Sequence, residues 1–235
     1  MKVEIWSDVM CPFCYIGKRK FESALEQFPQ KDKIEIEWKS FQLNPDMKTE
    51  PGKSINEYLA EIKGWEPAYA EEVNNHVTKI ASEVGLEYNM DKAVVANSFD
   101  AHRFVQYAKT QGKGDDAEEQ LFKAYFTDGK NTADHETLLE LGAVIGLDVE
   151  ELKSVLESNR FSDNVRKDIY EAQQVGARGV PFFVLDRKYA VSGAQQPETF
   201  LGALEKSFGE WEKANPVTLT TYAEGANCTP DGECE

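Results

Sequence analysis

Hydrophobic and polar residues alternate near both ends of the chain and follow a helical period between them. The alternating stretches predict four strands, and one amphipathic helix over residues 15–28 joins the first two. Because a single helix connects those two strands, they are expected to lie parallel in one sheet. The last two strands predict a hairpin that leads into a final helix over residues 198–213. The predicted strands cover residues 3–6, 34–41, 180–185 and 188–192.

The middle of the chain has a helical period almost throughout. Ser54 and Glu57 have capping-box spacing at the first of these helices, and Asp134, Asp148 and Ser162 are expected N-caps farther on. The pattern therefore predicts a β-α-β half, a block of helices and a β-β-α half, with the block forming a lid or wall beside the site. The helices of the block are predicted over residues 54–63, 67–84, 97–111, 115–127, 134–145, 148–158 and 162–174.

Composition and charge narrow the class of protein. Of the 235 residues, 41% are hydrophobic and 29% are charged, as expected of a globule with a full core. The formal net charge of −16 repels phosphate backbones and anionic bilayers, so neither nucleic acid nor a membrane is an expected partner. No apolar run approaches the ~20 residues that span a bilayer, and acidic residues stand where a signal peptide needs an apolar core. We therefore expect a cytoplasmic protein, in which four cysteines in two close pairs indicate redox or metal chemistry.

The first cysteine pair, Cys11 and Cys14, lies where the first strand is followed by the first helix. Pro12 fits the first helical turn, because that position needs no backbone N–H. Free N–H groups and the helix dipole favour the thiolate form of Cys11, and Cys14 comes round the turn towards it. One sulfur can then attack a disulfide while the other resolves the mixed disulfide. A zinc half-site and two inert core cysteines are the alternatives for this spacing alone, and the strand–helix context favours redox chemistry.

Three stretches carry a resemblance to a known family: SDVMCPFCYIG at residues 7–17, NSFDAHR at 97–103 and GARGVPFF at 176–183. Together with the strand–Cys-x-x-Cys–helix order, they resemble the thioredoxin fold (βαβ…ββα) of the DsbA type, and in detail the cytoplasmic FrnE-like subfamily. The resemblance implies an α/β protein with an all-helical domain inserted between the two halves of a thioredoxin-like domain. The expected divisions are 1–48 with 175–214 for the thioredoxin-like domain, 49–174 for the insertion and 215–235 for a polar tail.

The resemblance also implies a set of substrate-binding residues. In that family the proline that matches Pro181 is cis and faces the cysteine pair, so Val180 and Pro181 are expected to hold the backbone of a substrate chain. Met10 and Phe13 are expected to form an apolar rim for unfolded polypeptide, with Phe182 either on that rim or in the core. Phe13 stands where the strongly oxidising relatives carry a histidine, so this couple is expected to be less oxidising.

Asp8 and His102 are candidates for tuning the pKa of the cysteine pair or for carrying its protons. Asp8 is explained equally well as a loop or capping carboxylate. A lone histidine in a helix, such as His102, is more often simply packed.

The second cysteine pair, Cys228 and Cys234, flanks a Pro-Asp-Gly turn in the tail. One hypothesis is an accessory redox pair whose disulfide exchanges with the main pair. A four-thiolate zinc site shared with Cys11 and Cys14, and two inert thiols, are the alternatives. Acidic neighbours disfavour thiolates in the tail, so these cysteines are expected to react slowly.

The residues and the resemblance together predict a thiol–disulfide oxidoreductase that oxidises, reduces or isomerises protein disulfides. Its expected partners are disulfide-containing or unfolded proteins and a thiol reductant, with glutathione as a candidate redox partner and with no metal or organic cofactor. A glutathione-dependent isomerase or kappa-class-like transferase would share the architecture, but those enzymes carry serine where Cys11 stands and have no resolving cysteine. A holdase chaperone without catalysis is the third hypothesis, and the oligomeric state is left open.

Overall fold

The computed structural model describes residues 1–216, and its elements follow the predicted order. The strands are β1 (Lys2–Ser7), β2 (Glu35–Ser40), β3 (Glu50–Ser54), β4 (Val94–Val95), β5 (Phe182–Leu185) and β6 (Tyr189–Ser192). The helices are α1 (Pro12–Gln27), α2 (Ile55–Lys63), α3 (Pro67–Ser82), α4 (Phe99–Thr110), α5 (Gly114–Phe122), α6 (His135–Val144), α7 (Val149–Leu156), α8 (Ser162–Gln174) and α9 (Pro197–Ala214).

The main sheet has four strands in the order β2-β1-β5-β6. Strands β1 and β2 run parallel, with Ile5 opposite Trp38. Strand β5 runs antiparallel to β1, with Phe183 opposite Ile5, and pairs with β6 as a hairpin. This is the thioredoxin fold of the DsbA type, and both the parallel pair and the hairpin are confirmed.

Helices cover both faces of this sheet. On one face, Phe183 packs between Phe21 of α1 and Phe200 of α9, with ring centroids 5.4 Å and 4.6 Å away. On the other face, the Trp6 ring nitrogen Nε1 donates to the carbonyl oxygen of Asp168 in α8 at 2.8 Å. Strand β1 is therefore fixed from both sides, and its last residues lead into the cysteine motif.

Helix α4 lies at the centre of the insertion. Residues 101–108 of this helix are all buried, and α5, α6, α7 and α8 pack around it. The predicted caps are present at α2, where Ser54 and Glu57 form the capping box, and at α6 and α7, where Asp134 and Asp148 accept from the helix amides. None of the helices within residues 1–216 combines the length and the apolar character needed to cross a bilayer.

Three local features of the insertion differ from the prediction. The sequence predicts helices alone there, but β3 and β4 form a second, antiparallel two-stranded sheet. Pro51 and Gly52 disfavour a strand by themselves, so β3 depends on its pairing with β4. Ser162 is the first residue of α8 and not its cap, because Phe161 takes the N-cap position at a φ of 64°. The predicted helix over 115–127 ends in a π-helical turn, Lys123–Thr127.

Buried polar contacts join the insertion to the main sheet. Trp38 Nε1 donates to the Asp115 carboxylate at 2.8 Å, and the Ser40 N–H donates to the Asp168 carboxylate at 3.0 Å. Lys39 is the centre of an ionic cluster, with its Nζ 3.2 Å from Asp168 and its side chain only 10% exposed. Three further carboxylates lie within 3.7 Å of the same ammonium group: Glu4, Glu37 and Glu171.

Candidate active site

Cys11 and Cys14 lie at the junction of β1 and α1. Cys11 is the N-cap residue of α1, with φ and ψ of −87° and 111°, and Pro12 follows in the first turn. The Cys14 N–H donates to the Cys11 carbonyl oxygen at 3.0 Å, which closes that turn, and the two side chains are in contact. The local sequence thus produces the predicted pair of neighbouring sulfurs.

The two sulfurs differ in their surroundings. Cys14 is 1% exposed, whereas Cys11 is 5% exposed and also borders a cavity. Burial raises the pKa of the Cys14 thiol well above its ordinary value, and the adjacent Cys11 raises it further. Cys11 therefore borders the cavity, while Cys14 is more deeply buried and its thiol form is favoured.

The loop before β5 lies against Cys11. The peptide bond between Val180 and Pro181 is cis, and the Cys11 Sγ donates to the Val180 carbonyl oxygen at 3.5 Å. These residues meet, although 169 positions apart, because β5 pairs antiparallel with β1 and its start therefore lies beside the end of β1. Gly17 lies under the proline ring, and a Cβ built on it would be 2.9 Å from the Pro181 Cγ. Glycine at this position allows the helix and the proline to approach each other.

Asp8 and His102 lie together behind the cysteine turn, and both are fully buried. The His102 Nε2 is 3.5 Å from the Asp8 Oδ1, close enough for an ion pair though not aligned as a hydrogen bond. The other Asp8 oxygen accepts from the Leu43 N–H at 2.7 Å. Burial alone lowers the pKa of His102, but Asp8 and then Glu118 outweigh it, so the His102 pKa lies above its ordinary value.

Glu118 of α5 completes this buried group, and the sequence analysis missed it. It is 1% exposed, and burial raises its pKa to about 7, an effect that His102 partly offsets and Asp8 reinforces. A signal was available, because Glu118 shares a helix face with the apolar residues three and four positions on. Several buried atoms of this region have no hydrogen-bond partner within residues 1–216: Ser7 Oγ, Asp8 Oδ1, both His102 ring nitrogens, Glu118 Oε2 and Tyr125 Oη.

Aromatic side chains of the insertion hold the first turn of α1. Tyr15 stacks on Phe122 with 4.9 Å between ring centroids. Tyr88 stacks on Phe126 at 4.6 Å, and its hydroxyl donates to the Pro12 carbonyl oxygen at 2.7 Å. No periodicity marks Tyr88, because it lies in the irregular stretch between α3 and β4. The insertion therefore positions the cysteine turn as well as covering it.

A cavity of about 390 Å³ opens beside Cys11. Met10 and Phe13 line it, and Phe13 is 40% exposed at its edge. Phe182 is not part of this rim, because it is buried beside Trp6 on the α8 side of the sheet. Of its two sequence interpretations, core packing is therefore the right one.

Comparison with known proteins places this arrangement in a family. Residues 2–205, from β1 into α9, match the family model described as a DSBA-like thioredoxin domain. The chain belongs to this family. A similar DSBA-like structure is that of a probable DsbA oxidoreductase from Streptomyces coelicolor, which is 37% identical with a TM-score of 0.84 and covers 100% of this chain and 98% of that one.

A sequence relative and a second solved structure are also similar to this DSBA-like chain over most of its length. The Bacillus subtilis (strain 168) protein YwbO is 27% identical over 219 residues, which are 90% of this chain and 97% of YwbO. The cytosolic disulfide reductase DsbM from Pseudomonas aeruginosa is 19% identical with a TM-score of 0.64, over 89% of this chain and 100% of that one. The latter likeness concerns the fold alone.

The accessory pair, Cys228 and Cys234, lies outside the described residues, so its exchange with the main pair stays a prediction. The same holds for a zinc site that the tail would share with Cys11 and Cys14. Within residues 1–216, no three His, Cys, Asp or Glu side chains are grouped so that they could hold a metal ion.

Proposed function

We propose that this DSBA-like protein is a cytoplasmic thiol–disulfide oxidoreductase of the FrnE-like subfamily, acting on protein disulfides through Cys11 and Cys14. The observation that carries the proposal is the position of Cys11, which caps α1, borders the cavity and contacts the Val180 carbonyl. The subfamily and its cytoplasmic location follow from the resemblance of residues 7–17, 97–103 and 176–183.

The reaction consists of two thiol–disulfide exchanges. The Cys11 thiolate attacks one sulfur of the substrate disulfide, a mixed disulfide forms, and the other substrate sulfur leaves as a thiolate. Cys14 then attacks the Cys11 sulfur, forms the Cys11–Cys14 disulfide and releases the second substrate thiol. Two electrons thus pass from the pair to the substrate, and a thiol reductant such as glutathione returns them. The same steps in reverse oxidise a dithiol substrate.

The buried acid–base group supports the second exchange. The Cys14 thiol must lose its proton before it attacks, and burial makes that loss difficult because it raises the thiol pKa. Asp8 and His102 lie behind the cysteine turn, and Glu118, with a pKa of about 7, titrates near neutral pH. A group that titrates near the working pH is the most effective proton acceptor. We assign to these three residues the uptake and transfer of the Cys14 proton.

The substrate chain lies along Val180 and Pro181, where the backbone faces Cys11. Met10 and Phe13 provide apolar contacts beside it. Phe13 contributes no positive charge next to Cys11, so the couple is expected to be less oxidising than that of relatives with a histidine there. A couple of this redox potential suits reduction or isomerisation. The exchanges require no metal or organic cofactor.

Single cysteine variants test the proposal. Cys11→Ser is expected to abolish the reduction of insulin disulfides by a thiol reductant. Cys14→Ser is expected to accumulate a mixed disulfide with the substrate, visible by mass spectrometry and removed by dithiothreitol. Circular dichroism serves as the folding control for both variants.

A Cys11→Ser protein that still reduces insulin would contradict the assignment. A double Cys11→Ser, Cys14→Ser protein that retains every activity of the wild type, including suppression of aggregation, would favour the holdase hypothesis. Equilibration with glutathione standards measures the poise, and a potential as high as that of the strongly oxidising enzymes would overturn the expectation for Phe13.

A further inference from the structure

The cavity beside Cys11 is formed by both parts of the chain. One wall is the cysteine turn with Met10 and Phe13, and the opposite wall includes Tyr58 and Ile62 of α2 and Val77 of α3. A cavity of about 150 Å³ is enough to bind benzene. The volume of about 390 Å³ here therefore accommodates the largest protein side chain, an indole, directly beside the reactive sulfur.

The lining of the cavity is apolar and almost uncharged. Among the described residues that line it, Lys63 alone is charged. The amide of Asn44 donates to the Tyr58 hydroxyl at 2.7 Å, and the amide of Asn74 donates to Asn56 at 2.6 Å. One N–H of each amide is thus engaged, which lowers the cost of placing an apolar side chain beside it. Glutathione carries two carboxylates and an ammonium group and is a poor match for this lining.

Exposed apolar surface is concentrated at the mouth of the same cavity. Six large hydrophobic side chains are exposed within residues 1–216, and three of them line the cavity: Phe13 at 40%, Leu43 at 51% and Ile62 at 46%. A fourth, Tyr69, packs edge-on against Trp65, which also lines the cavity. Apolar surface that continues outward from a cavity fits a chain that enters it and extends beyond it.

We propose that this cavity binds one aromatic or large aliphatic side chain of the substrate polypeptide, next in sequence to the cysteine that Cys11 attacks. The inference rests on the proposed function, because Cys11 in the cavity wall forms the mixed disulfide. Adjacent Cα atoms are about 3.8 Å apart, so the mixed disulfide places the neighbouring side chain within reach of the cavity. The preferred substrates are thus polypeptides whose disulfide cysteine has an apolar neighbour.

A series of short symmetrical peptide disulfides tests the proposal with the full-length protein. The peptides differ only in the residue beside cysteine, which is Gly, Asp, Leu, Phe or Trp, and kcat/KM for their reduction is measured with excess dithiothreitol after subtraction of the uncatalysed rate. Because burial of one such side chain is favourable, kcat/KM is expected to be about tenfold higher or more for the Phe or Trp peptide than for the Gly peptide. Asp is expected to be the poorest, and glutathione disulfide is expected to be reduced more slowly than the Phe peptide.

Two variants and a control locate the preference. Ile62→Asp changes an exposed rim residue, and Val77→Trp fills the cavity; both are expected to lower the Phe-to-Gly ratio of kcat/KM towards one. Val144→Asp is the matched control, since Val144 is 69% exposed and lies outside the cavity lining. This control is expected to retain the wild-type ratio.

The outcomes separate the inference from the proposed function. If all peptides are reduced at similar rates, the cavity proposal is wrong while the oxidoreductase stands. If no peptide disulfide is reduced, both are wrong. A wild-type dimer that Ile62→Asp dissociates in analytical ultracentrifugation, without a change in the Phe-to-Gly ratio, would identify a second copy of the chain as the occupant and overturn the proposal.

Discussion

Replacing Glu118 with glutamine should make the protein more stable at alkaline pH. Burial raises the pKa of Glu118 from 4.5 to about 7. Between these values the folded protein keeps a proton on Glu118 that the unfolded chain has lost. Stability therefore falls as pH rises through this window, because the native state binds more protons than the unfolded state. Glutamine resembles the protonated carboxyl in shape and does not ionise, so this loss disappears in the variant.

The size of this stability change follows from the shift in the pKa of Glu118. At about 1.4 kcal/mol per pKa unit, the change from 4.5 to about 7 corresponds to about 3 kcal/mol of stability. The sequence pI is about 4.7, so measurements start above the pH of lowest solubility. From about pH 5.5 to 8, the wild type is expected to lose about 2 kcal/mol relative to Glu118→Gln. Because the difference between two pH values is compared, any fixed cost of the substitution cancels.

The assay is urea unfolding monitored by tryptophan fluorescence, with Glu119→Gln as the matched control. Burial alone raises the pKa of Glu119, but Arg19 and Tyr15 outweigh it, so that pKa lies below its ordinary value. Its charge therefore stabilises the folded state above the pKa of the unfolded chain, and Glu119→Gln is expected to destabilise the protein at pH 8. Parallel pH profiles for wild type and Glu118→Gln would refute the reasoning. If Glu118 also accepts the Cys14 proton, the more stable variant should resolve mixed disulfides more slowly.

Three further substitutions test the surroundings of the site. Gly17→Ala stabilises the helix by about 0.5–1 kcal/mol but forces the new Cβ against Pro181. Because these two effects oppose each other, Tm is expected to stay nearly constant while insulin reduction slows. A fully active variant would contradict the close contact between residue 17 and Pro181. Lys39→Met leaves the buried Asp168 carboxylate without its cation and is expected to cost about 3–5 kcal/mol in urea unfolding, whereas a neutral effect would show that this carboxylate relaxes. Tyr88→Phe removes the bond to the Pro12 carbonyl and should cost about 1 kcal/mol, and an unchanged unfolding midpoint would argue against that bond.

Local patterns in the sequence predict the cysteine turn and most of the elements. Strands β1 and β2, the helix that connects them and the N-caps Asp134 and Asp148 are all local features. Each depends on residues that are close together in the chain, so the sequence pattern predicts it. The resemblance supplies the expectation that Val180 and Pro181 face Cys11. Strand β3 shows the limit, because Pro51 and Gly52 adopt a strand only through a partner some 40 residues away.

Which residues form the buried acid–base group, and which residues line the cavity, depends on tertiary structure. The sequence presents Asp8 and His102 as separate candidates and Glu118 as one acid among several, yet packing of α4 and α5 behind the cysteine turn gathers all three. The cavity likewise needs α2 and α3 to lie opposite Cys11. By itself, the sequence determined the position of the cysteine pair and the strand–helix turn that presents it. Only the fold decided which distant side chains surround that pair, because burial and long-range packing, not local propensity, set their positions and their pKa values.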